Sequence, residues 1–150
     1  MTRARKPLWR CPTCRRVFAN RNQSHACGRH SLAGHFTGKP PEIRALFNAV
    51  LAAIKDVGPV RVLPEKTRIA FQVRMSFAQV TPRRQWLDGH VVLARRLGSP
   101  RFLKVETFSL RNHLHTFRLH SLAEVDEEFR AWIAEAYRVG EQKHLAAPRR

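Results

Sequence analysis

Residues able to bind a metal are concentrated near the N-terminus of this 150-residue chain. All three cysteines, Cys11, Cys14 and Cys27, lie there, and His25 and His30 lie beside the last of them. An odd number of cysteines in a short basic segment argues against a disulfide framework and favours thiolate coordination in a reducing compartment. The Cys-Pro-Thr-Cys spacing turns two thiolates toward one point, as a structural zinc site requires.

A histidine and the third cysteine complete the expected ligand set. His25 and Cys27 are two residues apart, so their side chains project to the same side of an extended backbone. With Cys11 and Cys14 they would close a tetrahedron and leave no open position, which predicts structural zinc and not catalytic zinc. His30 is the competing ligand, in a C-x2-C-x10-H-x4-H pattern. Its first gap is shorter than the roughly 12 residues of a Cys2His2 finger, and Gly28 lies between the two histidines. His25 with Cys27 is therefore the preferred pair, and His30 is the alternative.

Arginines surround the expected ligands. Arg10, Arg15, Arg16, Arg21 and Arg29 lie in a stretch of 40 residues that has nine Lys and Arg and no Asp or Glu. Guanidiniums on a metal-clipped loop would read phosphates through charge-assisted hydrogen bonds. They could also form a solvated rim that compensates the negative charge of a three-thiolate zinc centre. The two interpretations are compatible with each other.

The charge of the whole chain favours a polyanionic partner. The sequence has 28 Lys and Arg against 11 Asp and Glu, a net charge of +17, and its pI is about 11.6. A GC-rich genome would explain arginine in place of lysine, but not the shortage of acidic residues. Such a surface attracts polyanions in a salt-dependent way. Nucleic acid is therefore the expected partner, and an acidic protein is the alternative.

No segment has the pattern of a membrane span or a secretion signal. No apolar run approaches the roughly 20 residues that a membrane span needs. The basic N-terminus leads into cysteines and not into an apolar signal core. The sequence therefore predicts a soluble cytoplasmic protein without a membrane partner.

Two helices are predicted outside the basic segment. Apolar residues at helical spacing predict a first helix that begins at Pro41 or Glu42 and ends at Gly58. A capping box over residues 121–124 predicts a second helix that closes at Gly140. The buried stripes would be Ile43, Leu46, Phe47, Val50, Leu51 and Ile54 in the first helix, and Leu122, Val125, Phe129, Trp132, Ile133 and Ala136 in the second.

Strand patterns fill the space between the helices. Apolar and polar residues alternate over residues 67–74, which predicts a half-buried strand. Further strands are predicted over 60–63, 77–81, 90–94, 102–110 and 113–120, with hairpin turns at Asp88-Gly89 and Arg111-Asn112. The prediction is an α+β fold with an antiparallel sheet of five or six strands, flanked by an N-terminal and a C-terminal helix. A zinc-knuckle arm would span residues 1–38, the α+β domain 39–141 and a loose basic tail 142–150.

Other polar groups of the domain have both a functional and a structural interpretation. Arg83, Arg84 and Trp86 could grip a nucleic-acid backbone and stack a base, although such a tryptophan more often fills a core or hairpin. His113 and His115 share one strand face, with His90 expected on a neighbouring strand. Histidines of this kind usually pack or form hydrogen bonds.

No catalytic fingerprint is present. Pro64-Glu65-Lys66 is similar to part of a magnesium nuclease site, but no second acid is well placed, so a surface turn is expected. Nucleophile-elbow, phosphate-loop and dinucleotide motifs are missing from the sequence. The protein is not predicted to be an enzyme. The alternative is a small-ligand protein or enzyme with a site on the sheet, using Arg68, Arg74, His90, His113 or His115.

Several segments resemble one protein family. They are CPTCRRVFANRNQSHACGRH (11–30), GKPPEIRALF (38–47), PEKTRIAFQVRMSFA (64–78), RRQWLDGH (83–90) and EAYRVGEQ (135–142). Together they resemble bacterial proteins of the domain-of-unknown-function 5655 family, in which a zinc-knuckle-like segment precedes the domain. The resemblance extends from about Trp9 to about Leu145 and implies an α+β fold and the pairing of His25 with Cys27, but no activity. Arg15 departs from the pattern, because such knuckles often have glycine there for a left-handed turn.

The leading hypothesis is a zinc-stabilised basic protein that contacts RNA or DNA mainly through phosphates. Strong sequence specificity is not expected, because no recognition helix is evident. Zinc would contribute directly to folding the arm, which alone has too little apolar material. An interaction module that docks an acidic protein is a further alternative.

Overall fold

The computed structural model describes residues 7–12, 15–21 and 30–142. Three expected zinc ligands, Cys14, His25 and Cys27, lie outside the described residues, and so does Arg29. Of the predicted tail, only Gln142 is described.

The described chain consists of a short arm and an α+β domain. The arm contributes an antiparallel hairpin of β1 (Trp9–Arg10) and β2 (Val17–Phe18). In the domain, a 3-10 turn (Ala33–Phe36) precedes α1 (Pro41–Val57), and a second one (Leu122–Glu124) precedes α2 (Glu127–Gly140). The strands between the helices are β3 (Arg61–Pro64), β4 (Ile69–Gln72), β5 (Ser76–Pro82), β6 (Leu87–Leu93), β7 (Lys104–Ser109) and β8 (Asn112–Leu119).

These six strands form one sheet in the order β3-β4-β5-β6-β8-β7. Every neighbouring pair is antiparallel. The chain passes from β6 to the far edge, forms β7 there and returns as β8, so β3 and β7 are the two edge strands. The predicted α+β class with six antiparallel strands and two helices is confirmed.

The core lies between the helices and one face of the sheet, here called the helix face. Both helices pack over β5 and β6. Phe47 of α1 stacks on Phe71 with ring centroids 6.0 Å apart, and Phe129 of α2 meets Phe117 edge-on at 5.1 Å. The helix face carries side chains that are at most 2% exposed: Ile69, Phe71, Val91, His115, Phe117 and Leu119.

The first helix begins and ends where the sequence predicts, but the second begins later. The capping box of Ser121 and Glu124 is present, yet it closes only a single 3-10 turn. The backbone then leaves helical geometry, and Asp126 caps α2 by accepting a hydrogen bond from the Phe129 N–H at 3.0 Å. Leu122 is consequently 56% exposed, so its predicted burial is wrong. Within the described residues, neither helix is long and apolar enough to cross a bilayer.

The predicted turn at Asp88-Gly89 is also wrong, because both residues lie inside β6. The chain reverses earlier, where the Arg83 N–H donates to the Trp86 carbonyl at 3.0 Å. Glycine is needed at position 89 for a different reason. A Cβ there would lie 2.7 Å from the Phe117 ring and from the Gln79 carbonyl oxygen. The other predicted turn is confirmed within one residue, since Leu110 and Arg111 connect β7 to Asn112 at the start of β8.

The opposite surface of the sheet, here called the outer face, points away from the helices. Cross-strand register places on it Leu63, Ala70, Gln72, Gln79, His90, Thr116 and Arg118. The arm covers one end of this face. Arg16 Nη2 donates to the Pro64 carbonyl at 3.4 Å, and Leu8 lines a cavity together with Val60 and Gln72.

Strand β4 is buried on both faces of the sheet, and the arm reaches it where Leu8 and Gln72 line one cavity. All four of its residues are buried, so the half-buried strand predicted over 67–74 is wrong for this central part. The alternation of Ile69 and Phe71 with other residues correctly predicts which side chains are buried on the helix face, but it says nothing about burial on the outer face. Gln72 lies beside Leu8, a residue far away in sequence, and strand periodicity cannot reveal such a neighbour.

Candidate metal centre and nucleic-acid interface

The arm folds into a tight turn at the first expected ligand. The Arg15 N–H donates to the Cys11 carbonyl, and the Cys11 N–H donates to the Arg16 carbonyl, both at 2.8 Å. Cys11 is only 3% exposed. Arg15 has φ 64°, the left-handed conformation that costs a residue with a Cβ about 1 kcal/mol. It is the position where such knuckles often have glycine, so Arg15 adopts the turn despite its side chain.

Aromatic rings support this turn. Trp9 and Phe18 are direct cross-strand partners in the hairpin, and their ring centroids are 6.2 Å apart. Phe18 is 4% exposed. The Arg10 guanidinium closes the turn from outside by donating to the Arg15 carbonyl at 2.7 Å. The position of Cys11 is therefore fixed by backbone hydrogen bonds and by apolar packing.

The metal ligand set itself stays a prediction. Of the expected ligands, only Cys11 is among the described residues, and the competing His30 is exposed at the start of the domain. Among the residues that the structure describes, no three His, Cys, Asp or Glu side chains come together as a metal site would require. Cys14, His25 and Cys27 are not among those residues.

The arginines of the arm divide into two groups. Arg10, Arg15 and Arg21 are exposed. Arg16 is half-buried, and its bond to Pro64 ties the arm to the edge of the sheet. The first group is available to a partner, whereas Arg16 positions the arm on the domain.

Charge is segregated between the two layers of the domain. Residues 59–120, which form the sheet and its loops, carry twelve Lys and Arg and only three Asp and Glu. Residues 121–142, which form α2 and its caps, carry two and six. Each acid of the sheet is held in an ion pair: Glu65 with Arg68 at 3.3 Å, Glu106 with Lys104 at 2.9 Å, and Asp88 with Arg118 at 2.8 Å. Two cations of the sheet segment pair with acids of the α2 segment, Arg95 with Glu135 and Arg101 with Asp126 and Glu128. The remaining excess of positive charge belongs to the sheet segment and the arm.

The predicted Arg83-Arg84-Trp86 group lies at one end of the outer face. Arg118 lies 4.2 Å above the Trp86 ring, and the His120 ring is 5.8 Å from it. Arg83 donates to Asp88 at 3.2 Å, while Arg84 is exposed. Trp86 is therefore already stacked on Arg118. Of the three arginines at this end, Arg84 is the most available to a partner.

Asp88 organises this end of the face, a role that no pattern in the sequence indicates. Partial burial acts to raise its pKa, but hydrogen bonds from Arg118 and Arg83 outweigh burial and hold the pKa below its ordinary value. The carboxylate stays charged at neutral pH and holds two guanidiniums beside Trp86. Only the sheet register, which pairs Asp88 with Arg118 across strands β6 and β8, reveals the contact.

The three histidines of the predicted sheet site do not converge. His113 and His115 lie on the helix face, whereas His90 pairs with Thr116 and lies on the outer face. His115 is fully buried, accepts from the Leu97 N–H at 2.9 Å and donates to the His113 carbonyl at 2.9 Å. His113 contacts the Thr107 hydroxyl at 2.9 Å and the Leu110 carbonyl at 3.1 Å. His113 thus ties β8 to β7, and His115 ties β8 to the loop that follows β6.

His90 is different, because no hydrogen bond of its ring occurs within the described residues. Burial, assisted by the nearby Arg68 and opposed by Glu106, lowers its pKa to about 4. The ring is neutral at pH 7 and offers one donor and one acceptor. It faces Gln79, its cross-strand partner on β5.

Gln72 is a further unpaired polar group of the outer face, and sequence reasoning missed it. The side chain is 0% exposed, and neither of its amide atoms has a hydrogen-bond partner in the part of the chain that the structure describes. It lines a cavity of about 260 Å³ beneath Leu8, between Arg61 and Arg74. Buried amide groups are nearly always bonded to protein or water, so Gln72 marks a place that can receive a polar ligand.

The Glu65-Lys66 segment forms a surface turn, with the Glu65 N–H donating to the Arg68 carbonyl at 2.8 Å. Both residues line a shallow polar cavity of about 300 Å³ together with His30 and His35. Burial lowers the pKa of His35 despite a hydrogen bond with the backbone of Glu65. The group does not form a metal cluster within the described residues.

Comparison with known protein families identifies the domain. The family model described as "Domain of unknown function (DUF5655)" matches residues 32–140. The match begins at Leu32, which packs against the core together with Phe36. Comparison with curated proteins and with solved structures finds no match. Since the matched segment is more than half of the chain, this protein belongs to the DUF5655 family.

Proposed function

We propose that this protein binds nucleic acid through phosphates, using the arm and the outer face of the sheet, and that zinc holds the arm in place. The segregation of charge carries the proposal. The sheet segment has nine more basic than acidic residues, whereas the α2 segment has four more acidic than basic residues. A polyanion is therefore steered toward the sheet side and away from α2.

The character of the cations predicts backbone contact without base readout. Arg10, Arg15, Arg21 and Arg84 are exposed, and guanidiniums bind phosphate oxygens in bidentate fashion. Neither helix projects from the domain to enter a groove, since both pack on the sheet. We therefore expect binding that depends strongly on salt and weakly on sequence.

Zinc has a defined task in this proposal. Coordination by Cys11, Cys14, Cys27 and His25 would fix the turn that bears Arg15 and the hairpin that bears Arg10. The left-handed Arg15 and the buried Cys11 favour such a knuckle. Metal binding would supply folding free energy to a segment with few apolar side chains of its own.

Binding is tested with two variants that each remove two positive charges. The first combines Arg15→Gly with Arg21→Ala, where glycine also relieves the left-handed strain and so protects the turn. The control combines Arg130→Ala with Arg138→Ala on the acidic side of α2. Fluorescence anisotropy with mixed-sequence RNA and DNA oligonucleotides between about 50 and 200 mM salt measures affinity and its salt slope.

We expect the arm variant to bind more weakly and to lower the salt slope by about 0.9 for each phosphate that it no longer neutralises. The control should bind like the unmodified protein. Equal affinities of the two variants, or no binding at low salt, would overturn the proposal. Recovery of an acidic protein from the native host, in amounts that nuclease treatment does not change, would favour an interaction module instead.

A second candidate function, binding of a small ligand, is favoured by Gln72 alone. The cavity beneath Leu8 combines an unpaired buried amide with Arg61, Arg74 and apolar walls, which suits a small acid with an apolar part. Native mass spectrometry of protein purified from the host would reveal a bound molecule, and Gln72→Leu should abolish it. If no ligand is present, Gln72→Leu should raise the stability by about 1 kcal/mol, because an unpaired buried amide is removed.

A further inference from the structure

Three of the five exposed large apolar side chains of the described chain lie on the edge strand β7 or directly beside it in sequence. Leu103 is 60%, Phe108 68% and Leu110 87% exposed. Among the described strands β7 pairs only with β8, so its other side is an open edge of the sheet. An open edge of this kind can accept another strand. Exposed apolar side chains beside such an edge indicate that the strand acts as a contact surface.

The charges on β7 are complementary to those of a second copy. Lys104 and Glu106 share the outer face, and Val105 between them points to the helix face. Two β7 strands related by a two-fold axis perpendicular to the sheet must pair antiparallel. The axis passes through the midpoint of one facing pair, which is either a hydrogen-bonded or a non-hydrogen-bonded pair. The residue at this position therefore lies opposite its own copy.

Only one central register joins opposite charges. When Val105 lies opposite Val105 of the other copy, Lys104 of each strand lies opposite Glu106 of the other, twice in one dimer. Centring the pair on Lys104 or on Glu106 would instead place like charges opposite each other. Opposite charges stabilise directly facing pairs on a sheet, and like charges destabilise them. The sequence of β7 therefore specifies its own register.

We propose that β7 docks a second copy of this chain, which joins two sheets into one continuous antiparallel sheet of twelve strands. The two-fold axis keeps both helical layers on one side and both outer faces on the other. Leu103 is placed opposite Thr107 of the other copy, where its exposed side chain is covered. The two outer faces then form one longer basic surface, although the pairing itself does not depend on any nucleic acid.

The dimer is expected to be weak. One pair of strands buries much less than the 1,200–2,000 Å² or so of a stable interface, and two chains of charge +17 repel each other. Arg96 also contacts β7, donating to Thr107 Oγ1 at 2.8 Å and to the Val105 carbonyl at 3.5 Å. We therefore expect a dissociation constant in the micromolar range, with tighter pairing at moderate salt than at low salt.

Charge reversal provides a direct test by sedimentation equilibrium of the full chain. Lys104→Glu and Glu106→Lys each place like charges opposite each other at both positions, and each should weaken the dimer by about tenfold. The double variant Lys104→Glu/Glu106→Lys should restore dimerisation. An equal mixture of the two single variants should also restore it, because each then meets its opposite. Lys55→Glu on α1 changes the charge as Lys104→Glu does and serves as control.

Circular dichroism of each variant separates misfolding from loss of pairing. The proposal is overturned if the unmodified protein remains monomeric at concentrations well above micromolar. It is equally overturned if the single variants dimerise like the control, or if mixing them has no effect. Rescue by mixing could not arise from a general change in folding or in net charge.

Discussion

The two faces of the sheet treat the same kind of side chain in opposite ways. His115 on the helix face is fully buried, and both ring nitrogens are bonded to backbone groups. His90 on the outer face lies one strand away and has no such bond within the described residues. Gln72 on the same outer face is buried, and no described residue pairs with either of its amide atoms. The buried His115 of the helix face is bonded on both ring nitrogens, whereas His90 and Gln72 of the outer face are bonded to no described residue.

Charge and cover distinguish the faces as well. The helix face is covered by α1 and α2, and the acidic residues of the domain are concentrated in α2. Among the described residues, the outer face is covered only at the β3 and β4 end, by the arm. Cover on the helix side comes from the apolar core, whereas cover on the outer side depends on a segment that we expect zinc to hold. The two sides should therefore respond differently to removal of metal.

Loss of zinc should have the largest effect on this contrast. We expect about one zinc per chain in the purified protein. Chelation, or Cys14→Ser, should release the arm and raise hydrogen exchange of β3 and β4, while α1 and α2 keep their protection. Elemental analysis and hydrogen-exchange mass spectrometry measure the two effects. Protein that is metal-free as purified and yet equally protected at β4 would contradict the expectation.

Truncation of His115 and of His90 should give the next largest difference between the faces, measured as the loss of unfolding free energy. His115→Ala leaves the Leu97 N–H and the His113 carbonyl without partners in a closed core, which should cost about 3 kcal/mol of unfolding free energy. His90→Ala removes no bond that the structure shows, so its cost should stay within about 1 kcal/mol. Urea denaturation measures both. Equal costs would mean that the outer face is as tightly organised as the helix face.

The sequence predicts the helix face well and the outer face poorly, for a physical reason. Apolar stripes and alternation report burial in the domain's own core, so α1, the six strands and most of α2 follow from periodicity. The position of His90 relative to His113 depends on the register of the strands. The alternating pattern does not fix this register to the residue, and a shift by one residue moves a side chain to the other face. Gln72 lies beside Leu8 of the arm, far away in sequence. Asp88-Gly89 has the composition of a turn, but its glycine accommodates Phe117.

The metal site shows the complementary limit. Ligand types and spacing single out Cys11, Cys14, His25 and Cys27 as candidates without any structure, because coordination chemistry is local in the sequence. The contact of Arg16 with Pro64 joins the arm to the sheet, and the two residues are 48 positions apart in the sequence. No sequence pattern indicates that they meet. Local chemistry is therefore predictable here, whereas the placement of that chemistry on the domain is not.

The pH dependence of stability tests the burial of His90 on the outer face. The folded-state pKa of His90, about 4, is below the unfolded value of about 6.5. Between these two values the unfolded chain binds the proton more readily, so stability is lost as the pH falls through this window. His90 alone should contribute a loss of roughly 3 kcal/mol between pH 6.5 and 4.

His35 and His115 also have lowered pKa values, chiefly through burial, so they add loss in the same direction. The His90→Gln variant isolates the contribution of His90, since glutamine does not titrate. Thermal unfolding of both proteins across the window should show a shallower decline for the variant. Parallel curves would mean that His90 is solvated in the folded protein.

The smallest expected effect tests whether the outer face binds phosphates at its Trp86 end. Asp88→Asn removes the charge that holds Arg83 and Arg118, so two guanidiniums become available while the side chain keeps its size. Stability should change by less than about 1 kcal/mol, because the ion pairs are partly exposed. Affinity for oligonucleotides, measured by fluorescence anisotropy, should rise a few-fold, since both the net charge and the number of available donors increase.

A matched variant on the helical side separates position from net charge. Asp56→Asn makes the same change of charge at an exposed residue of α1 that pairs with Arg130 at 3.1 Å. If both variants raise affinity equally, net charge alone governs binding, and the contrast between the faces has no part in it. If only Asp88→Asn does so, the polyanion lies on the outer face, because the two guanidiniums set loose there can act only on a ligand within their reach.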